Sequence, residues 1–305
     1  NEFEPTLYDG DYIQVTIPTD ELFPVIDLKT STRWKINFAE LIDKNSFIGQ
    51  IISPISSETF WRIEENSRET NYANIYLLNF STFQNESSTI RGSNYIQQDV
   101  FLFENDQELS LRFRYSQRTA LSQFSSGFER YYNRERSLRI KFKMIKEISN
   151  QTDIVFQDDN VSAIESSNRT RQINSNNVIS EFSYRPDRNI EVGFRIKAGR
   201  SEDGYPVTPT IIDLNSQLIR FNLSFLGTGR LRVEIERNEL IANTTQNLIP
   251  YELTAGNQIG KNYFWRLNFD YKLSSFLQTT ISYDGRVQGT NKVIHTAKAE
   301  ARAYF

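Results

Sequence analysis

The sequence contains no cysteine, one histidine and no long apolar run. Without cysteine there are no disulfides and no thiolate metal sites. One histidine cannot build a histidine-rich metal centre. His295 also has no serine or carboxylate motif around it, so no catalytic set is legible. A transmembrane helix needs ~18 or more consecutive apolar residues, which excludes one here but leaves a β-barrel open. Phosphate loops are missing too. Gly227-Thr228-Gly229 precedes no helical pattern, and Gly256 with Gly260 lacks the closing Lys-Ser/Thr. Asp9-Gly10-Asp11 and Gln157-Asp158-Asp159-Asn160 offer oxygen ligands outside the frame of a calcium loop, and they read as turn or loop chemistry.

What the sequence does have is aromatic residues in alternation. The chain carries 22 Phe, 15 Tyr and 3 Trp, which argues against disorder and for strands. The pattern is clearest in the C-terminal 44 or so residues. Tyr263, Trp265, Leu267, Phe269 and Tyr271 alternate with Arg266, Asn268, Asp270 and Lys272. Leu277, Thr279, Ile281 and Tyr283 repeat the scheme. Ala297, Ala299, Ala301, Ala303 and Phe305 then alternate with Thr296, Lys298, Glu300, Arg302 and Tyr304. A period of two over such lengths gives strands with one apolar and one polar face. The same reading predicts strands at 32–38, 95–103, 108–117, 136–147, 150–157, 176–185, 189–198, 216–225 and 230–238. With the three at the end this makes about twelve. Residues 39–94 are the least regular; 46–53 suits a short helix, and 59–63 and 75–80 are strand-like.

The connections alternate short and long. The long ones are 118–135, 158–175, 199–215 and 239–261. In a meander, the short turns would gather at one end and the long loops at the other. That is the habit of outer-membrane barrels, whereas Greek-key sandwiches do not sort loops by length. Residues 1–30 read as a periplasmic lead-in or the end of a preceding module, and 31–305 as the barrel. Residues 39–94 would be a large outer loop or a lumen plug. An even strand count would put both chain ends on the periplasmic side.

The terminal strand closes on Ala303-Tyr304-Phe305, and with it the chain resembles bacterial outer-membrane β-barrel proteins. Segments 262–270 and 281–286 are similar to the C-terminal barrels of large uncharacterised members of that group. The alanines before Phe305 depart from the bulky outward residues usual there. The resemblance implies an all-β, antiparallel, up-and-down transmembrane barrel in the outer membrane. It also implies an assembly signal at Tyr304 and Phe305, read by the outer-membrane barrel assembly machinery.

The polar faces of the strands are basic. Arg112, Arg114, Arg139, Lys141, Arg195, Arg220, Arg232, Arg266 and Arg302 are expected to face the lumen, and cations outnumber anions on these faces. Asp43, Glu58, Glu64 and Glu65, from the irregular stretch, would be available to offset them from within. The aromatics lie opposite the charges, so no nucleic-acid surface is offered. The expectation is a transport, assembly or anchoring component with a basic, plugged lumen. It would not be an enzyme and would need no cofactor or metal. Its partners would be membrane lipid, the assembly machinery, and proteins met at the outer loops or the N-terminus. The alternatives are a secreted β-sandwich binding carbohydrate or protein, and an outer-membrane hydrolase.

Overall fold

The computed structural model describes residues 24–41, 46–164, 167–225, 227–244 and 249–304. Asp9-Gly10-Asp11, Asp43 and Phe305 lie outside them.

The chain folds into one antiparallel sheet of 13 strands, each hydrogen-bonded to its sequence neighbours. The strands are β1 (Ile26–Asn37), β2 (Ile55–Ser67), β3 (Thr89–Leu102), β4 (Leu109–Phe124), β5 (Gly127–Ile145), β6 (Ile148–Ser162), β7 (Arg171–Asp187), β8 (Ile190–Asp203), β9 (Thr210–Phe225), β10 (Gly229–Ala242), β11 (Gly260–Ser274), β12 (Leu277–Gln288) and β13 (Ile294–Ala303). Four short helices sit in connections: α1 (Phe38–Leu41), α2 (Phe47–Ile52), α3 (Tyr72–Tyr76) and α4 (Tyr251–Thr254). Among the described residues, β1 and β13 each pair with one neighbour only.

The count of about twelve is corrected to thirteen. The extra strand is β2, inside the stretch expected as a loop or plug; its register with β1 and β3 runs along its whole length. Mixed residues such as Glu58, Phe60 and Arg62 on one face, and Thr59, Trp61 and Ile63 on the other, hid its alternation. The expected helix at 46–53 is present as α2, capped by the Ser46 hydroxyl accepting from Gly49 N. Residues 75–80 are not a strand: they run from the end of α3 through a turn into a 3-10 helix that begins at Phe80. β1 also begins at Ile26, inside the expected lead-in. An odd count leaves the start of β1, Ile26, and the end of β13, Ala303, at opposite ends of the sheet rather than on one side.

Most expected long loops are strands. β4 and β5 run on through 118–135 and meet in a tight turn at 125–126. β3 to β11 are 14 to 19 residues long, more than the ~9–11 needed to cross a bilayer. We call the end carrying 146–147, 188–189 and 275–276 the hairpin end and the other the loop end. The sorting by length is only partial: the 38–54 connection, with α1 and α2, lies at the hairpin end, 125–126 is a short turn at the loop end, and 103–108 at the hairpin end is no shorter than 204–209 or 289–293 at the loop end.

The register shows which side chains share a face. In the hairpin half, one face carries Phe113, Leu138, Ile154 and Val178, joined in order by cross-strand pairing; Val178 faces Ala198 on β8, and on the same face Phe194, Ile219 and Ile235 are again joined in order. These side chains are exposed or half-buried: Phe113 is 48% exposed, Ile219 53% and Ile235 56%. The opposite face carries the charges, and buried residues there include Ser56, Asp99, Ser116 and Ser137. A water-soluble sheet has the reverse distribution.

Toward the loop end the faces exchange character. On β9 the apolar face continues Phe221, Ile219, Gln217, Asn215, Asp213, while the polar face continues Arg220, Leu218, Ser216, Leu214, Ile212. The apolar core lies here, on the polar-face side: Ile173, Ile212, Leu240 and Leu253 are buried together, with Leu214, Ala242 and Ile249 packed on them.

Candidate functional site

The polar face of the hairpin half holds the expected basic residues, positioned by the two-residue period of their strands. Most meet a carboxylate two residues away or on a nearby strand. Asp99 on β3 faces Arg114 on β4 and binds it with two bonds, Nε to Oδ1 at 2.7 Å and Nη2 to Oδ2 at 2.8 Å. Such bidentate, charge-assisted pairs are the strong ones. Arg139 on β5 donates to Asp153 on β6 at 2.5 Å. Glu181 on β7 takes Arg195 at 2.7 Å and also Arg220, which reaches over β8 from β9. Gly193 makes that reach feasible, because a Cβ there would press on the Arg220 guanidinium at 3.2 Å. Glu234 accepts from Arg232 at 2.6 Å and lies 3.6 Å from Arg266; Arg302 pairs with Glu300 at 2.6 Å. Arg112 and Lys141 share the face and form no ion pair among the described residues. Tyr304 follows β13, 57% exposed, its amide donating to Phe276 O.

Of the acids expected to offset this face from a plug, Glu58 and Glu64 do so from strand β2 instead. Glu58 lies on the polar face of β2, 3.3 Å from Arg33, and Glu64 pairs with Arg62. Glu65 lies on the other face, only 1% exposed; it accepts a bond from Thr89 Oγ1. Sequence reading missed Asp99, because the run Gln97-Gln98-Asp99 gives no alternation to assign a face.

At the loop end two connections fold onto opposite faces. Residues 249–254, with α4, lie over the polar-face side: Leu253 enters the apolar cluster and Glu252 meets Arg171 at 3.1 Å. Arg171 in turn holds Asp159 at 2.9 Å, and Asp203 accepts from the Gln172 and Tyr205 amides. Residues 68–88 instead cover the outward side of β2 to β5, burying Ile63, Ile75 and Leu121. Gln84 Nε2 donates to Thr119 Oγ1 at 3.0 Å, and Glu86 holds Arg130 at 2.8 Å. A cavity of about 460 Å³ remains between this cap and the sheet, lined by Trp61, Ile63, Glu65, Phe80, Phe83 and Ile96 among others. Residues 39–94, expected as a large outer loop or a lumen plug, thus contain a full strand of the sheet at 55–67. The rest of that stretch, at 68–88, caps the apolar-face side of the sheet, and the segment over the polar face is 249–254.

No protein-family model and no curated protein matches this sequence. Among solved structures it is similar to OmpT, an outer membrane protein of Vibrio cholerae, at 8% identity and a TM-score of 0.41, covering 92% of this chain and 96% of that one. The β domain of the Bordetella autotransporter BrkA is similar at 9% identity and a TM-score of 0.30, covering 91% and 97%. The translocator domain of the autotransporter NalP from Neisseria meningitidis is similar at 6% identity and a TM-score of 0.26, covering 92% and 88%.

His295 is held in an aromatic cluster on the outward face. Its Nδ1 lies 2.8 Å from the Tyr283 hydroxyl, its ring stacks on Tyr283, and Trp265 is 5.9 Å away. Gly285 sits under the Trp265 indole, where any Cβ would collide. Asp158 and Asp159 are bound by Arg134 and Arg171 within strand pairs rather than in a loop. Among the described residues no cluster of three or more metal-ligating side chains occurs. At the hairpin end, beyond the strands, the Glu104 carboxyl is held below the usual carboxylate range by bonds from the Lys35 ammonium (2.8 Å) and the Ser56 hydroxyl (2.5 Å).

Proposed function

We propose that the sheet closes into a transmembrane β-barrel in the outer membrane of a diderm bacterium. Its apolar face would meet lipid and its charged face would line the lumen. The observation that carries this reading is the inverted distribution in the hairpin half, with exposed aromatic and aliphatic side chains on one face and paired charges on the other. Closure satisfies the edge hydrogen bonds that lipid cannot. Thirteen antiparallel strands leave both edges running the same way, so a direct β1–β13 seam is parallel and an antiparallel seam takes one further strand. The sequential strand order argues against the secreted sandwich, which needs Greek-key crossings.

The polar loop-end extensions would stand outside the lipid, with α4 and Leu253 closing that mouth of the lumen. A lumen lined by ion pairs and covered at one end suits a transport, assembly or anchoring component better than an open pore. This reading assigns it no catalytic role. The deciding experiment is to refold the chain in detergent and compare boiled and unboiled samples on a gel. Faster migration of the unboiled sample, with loss of solubility on detergent removal, is expected. A soluble monomer without detergent would overturn the reading.

A further inference from the structure

Arg112 departs from the pairing that its neighbours follow. The β4–β5 register sets it directly opposite Arg139, and the β3–β4 register sets it opposite Phe101. Lys141 is the next residue along the same face, opposite Ser110 on β4 and Gln151 on β6. The acids within electrostatic reach of Arg112 are Asp99 and Asp153. Both are engaged already: Asp99 by Arg114 and Gln97, Asp153 by Arg139 and Gln151. The Arg112 Nε is buried and has no hydrogen-bond partner. An unsatisfied buried donor is costly, more so when charged, and like charges directly opposite across a strand pair destabilise further.

We propose that Arg112, Arg139 and Lys141 form a binding site for an oxyanion, a phosphate or carboxylate group, on the inner wall near the hairpin end. An oxyanion supplies what the site lacks. Two of its oxygens can take the planar guanidinium fork of Arg112, a third can take the mobile Lys141 ammonium, and its charge relieves the Arg112–Arg139 repulsion. The hydroxyl of Ser110, opposite Lys141, adds a neutral donor. Access from the lumen rests on the barrel reading above; the chemistry of the three cations does not.

The test uses the full chain refolded in detergent, checked first for the heat-dependent gel shift. Inorganic phosphate is then titrated in by calorimetry at low salt. Saturable binding is expected, weakened about tenfold or more in Arg112→Gln and in Lys141→Gln and unchanged in Arg232→Gln, which removes a cation away from the site. If Arg112→Gln does not fold, Lys141→Gln decides, since that side chain is exposed. Absence of saturable binding in a heat-modifiable wild-type sample overturns the site, as does equal weakening by Arg232→Gln. Site-dependent binding in a sample without the gel shift keeps the site and overturns the barrel.

Discussion

The hairpin half and the loop half of this sheet use the same strands in opposite ways. On β9, Phe221 and Ile219 give way on one face to Asn215 and Asp213, while Arg220 on the other face gives way to Leu214 and Ile212. β7 does the same, with Phe182 leading to Asn174 and Glu181 to Ile173. β10 passes from Val233 to Glu239 and from Glu234 to Leu240. The backbone ladder is indifferent to this exchange, because its hydrogen bonds lie in the plane of the sheet. What changes is the medium each half is built for. In the barrel proposed above, the hairpin half suits lipid outside and charge inside. The loop half suits water outside and an apolar cover inside, and residues 249–254 provide that cover.

The contrast predicts different costs for similar substitutions. The largest difference is expected for leucine truncation. Leu240→Ala, in the buried loop-end cluster, should cost ~2–5 kcal/mol because it leaves a cavity. Leu231→Ala, on the apolar face of the same strand, should cost much less, since lipid refills the gap. Urea unfolding in lipid vesicles measures both, and equal costs would mean that the apolar face is packed against protein.

Arginine placed on β9 should divide the halves next. Phe221→Arg is expected to cost ~2–4 kcal/mol near the bilayer midplane. Asn215→Arg, on the same face further along, should be close to neutral. If the two behave alike, the inversion does not mark a membrane boundary. A smaller effect is expected inside. Asp99→Asn removes the charge and one of the two oxygens that accept from Arg114 and should cost ~1–3 kcal/mol, read by the same unfolding assay. The neutral pair Gln98 and Thr59 on the other face, 2.5 Å apart, makes a control.

The smallest effect concerns pH. The folded Glu104 carboxyl titrates below its unfolded value, so its contribution is present above the ordinary carboxylate range. It is lost as pH falls through the folded value. Wild type should therefore lose a little more stability between neutral pH and acid than Lys35→Met, which lacks the pairing cation. Parallel pH profiles for the two chains would remove Glu104 from the account.

Alternation in the sequence determined the all-β class, the antiparallel meander and the face occupied by Arg112, Arg139, Arg195, Arg220 and Arg266, because a period of two fixes which side each residue takes. Where a face keeps its character, as in 263–272, the strand was legible to within a few residues. The loop-end extensions were not legible, since β4 to β11 continue there with both faces changing polarity and the alternation disappears while pairing persists. β2 was legible only at 59–63 for a related reason: Trp61, Ile63 and Glu65 are covered by 68–88 and carry mixed polarity. Only the tertiary structure decided which carboxylate meets which arginine, that Glu58 and Glu64 belong to the wall, and that 249–254 covers the polar face. Those outcomes depend on the register between strands, the room left at Gly193 and the side on which each loop finds apolar partners. None of these is a property of residues read one strand at a time.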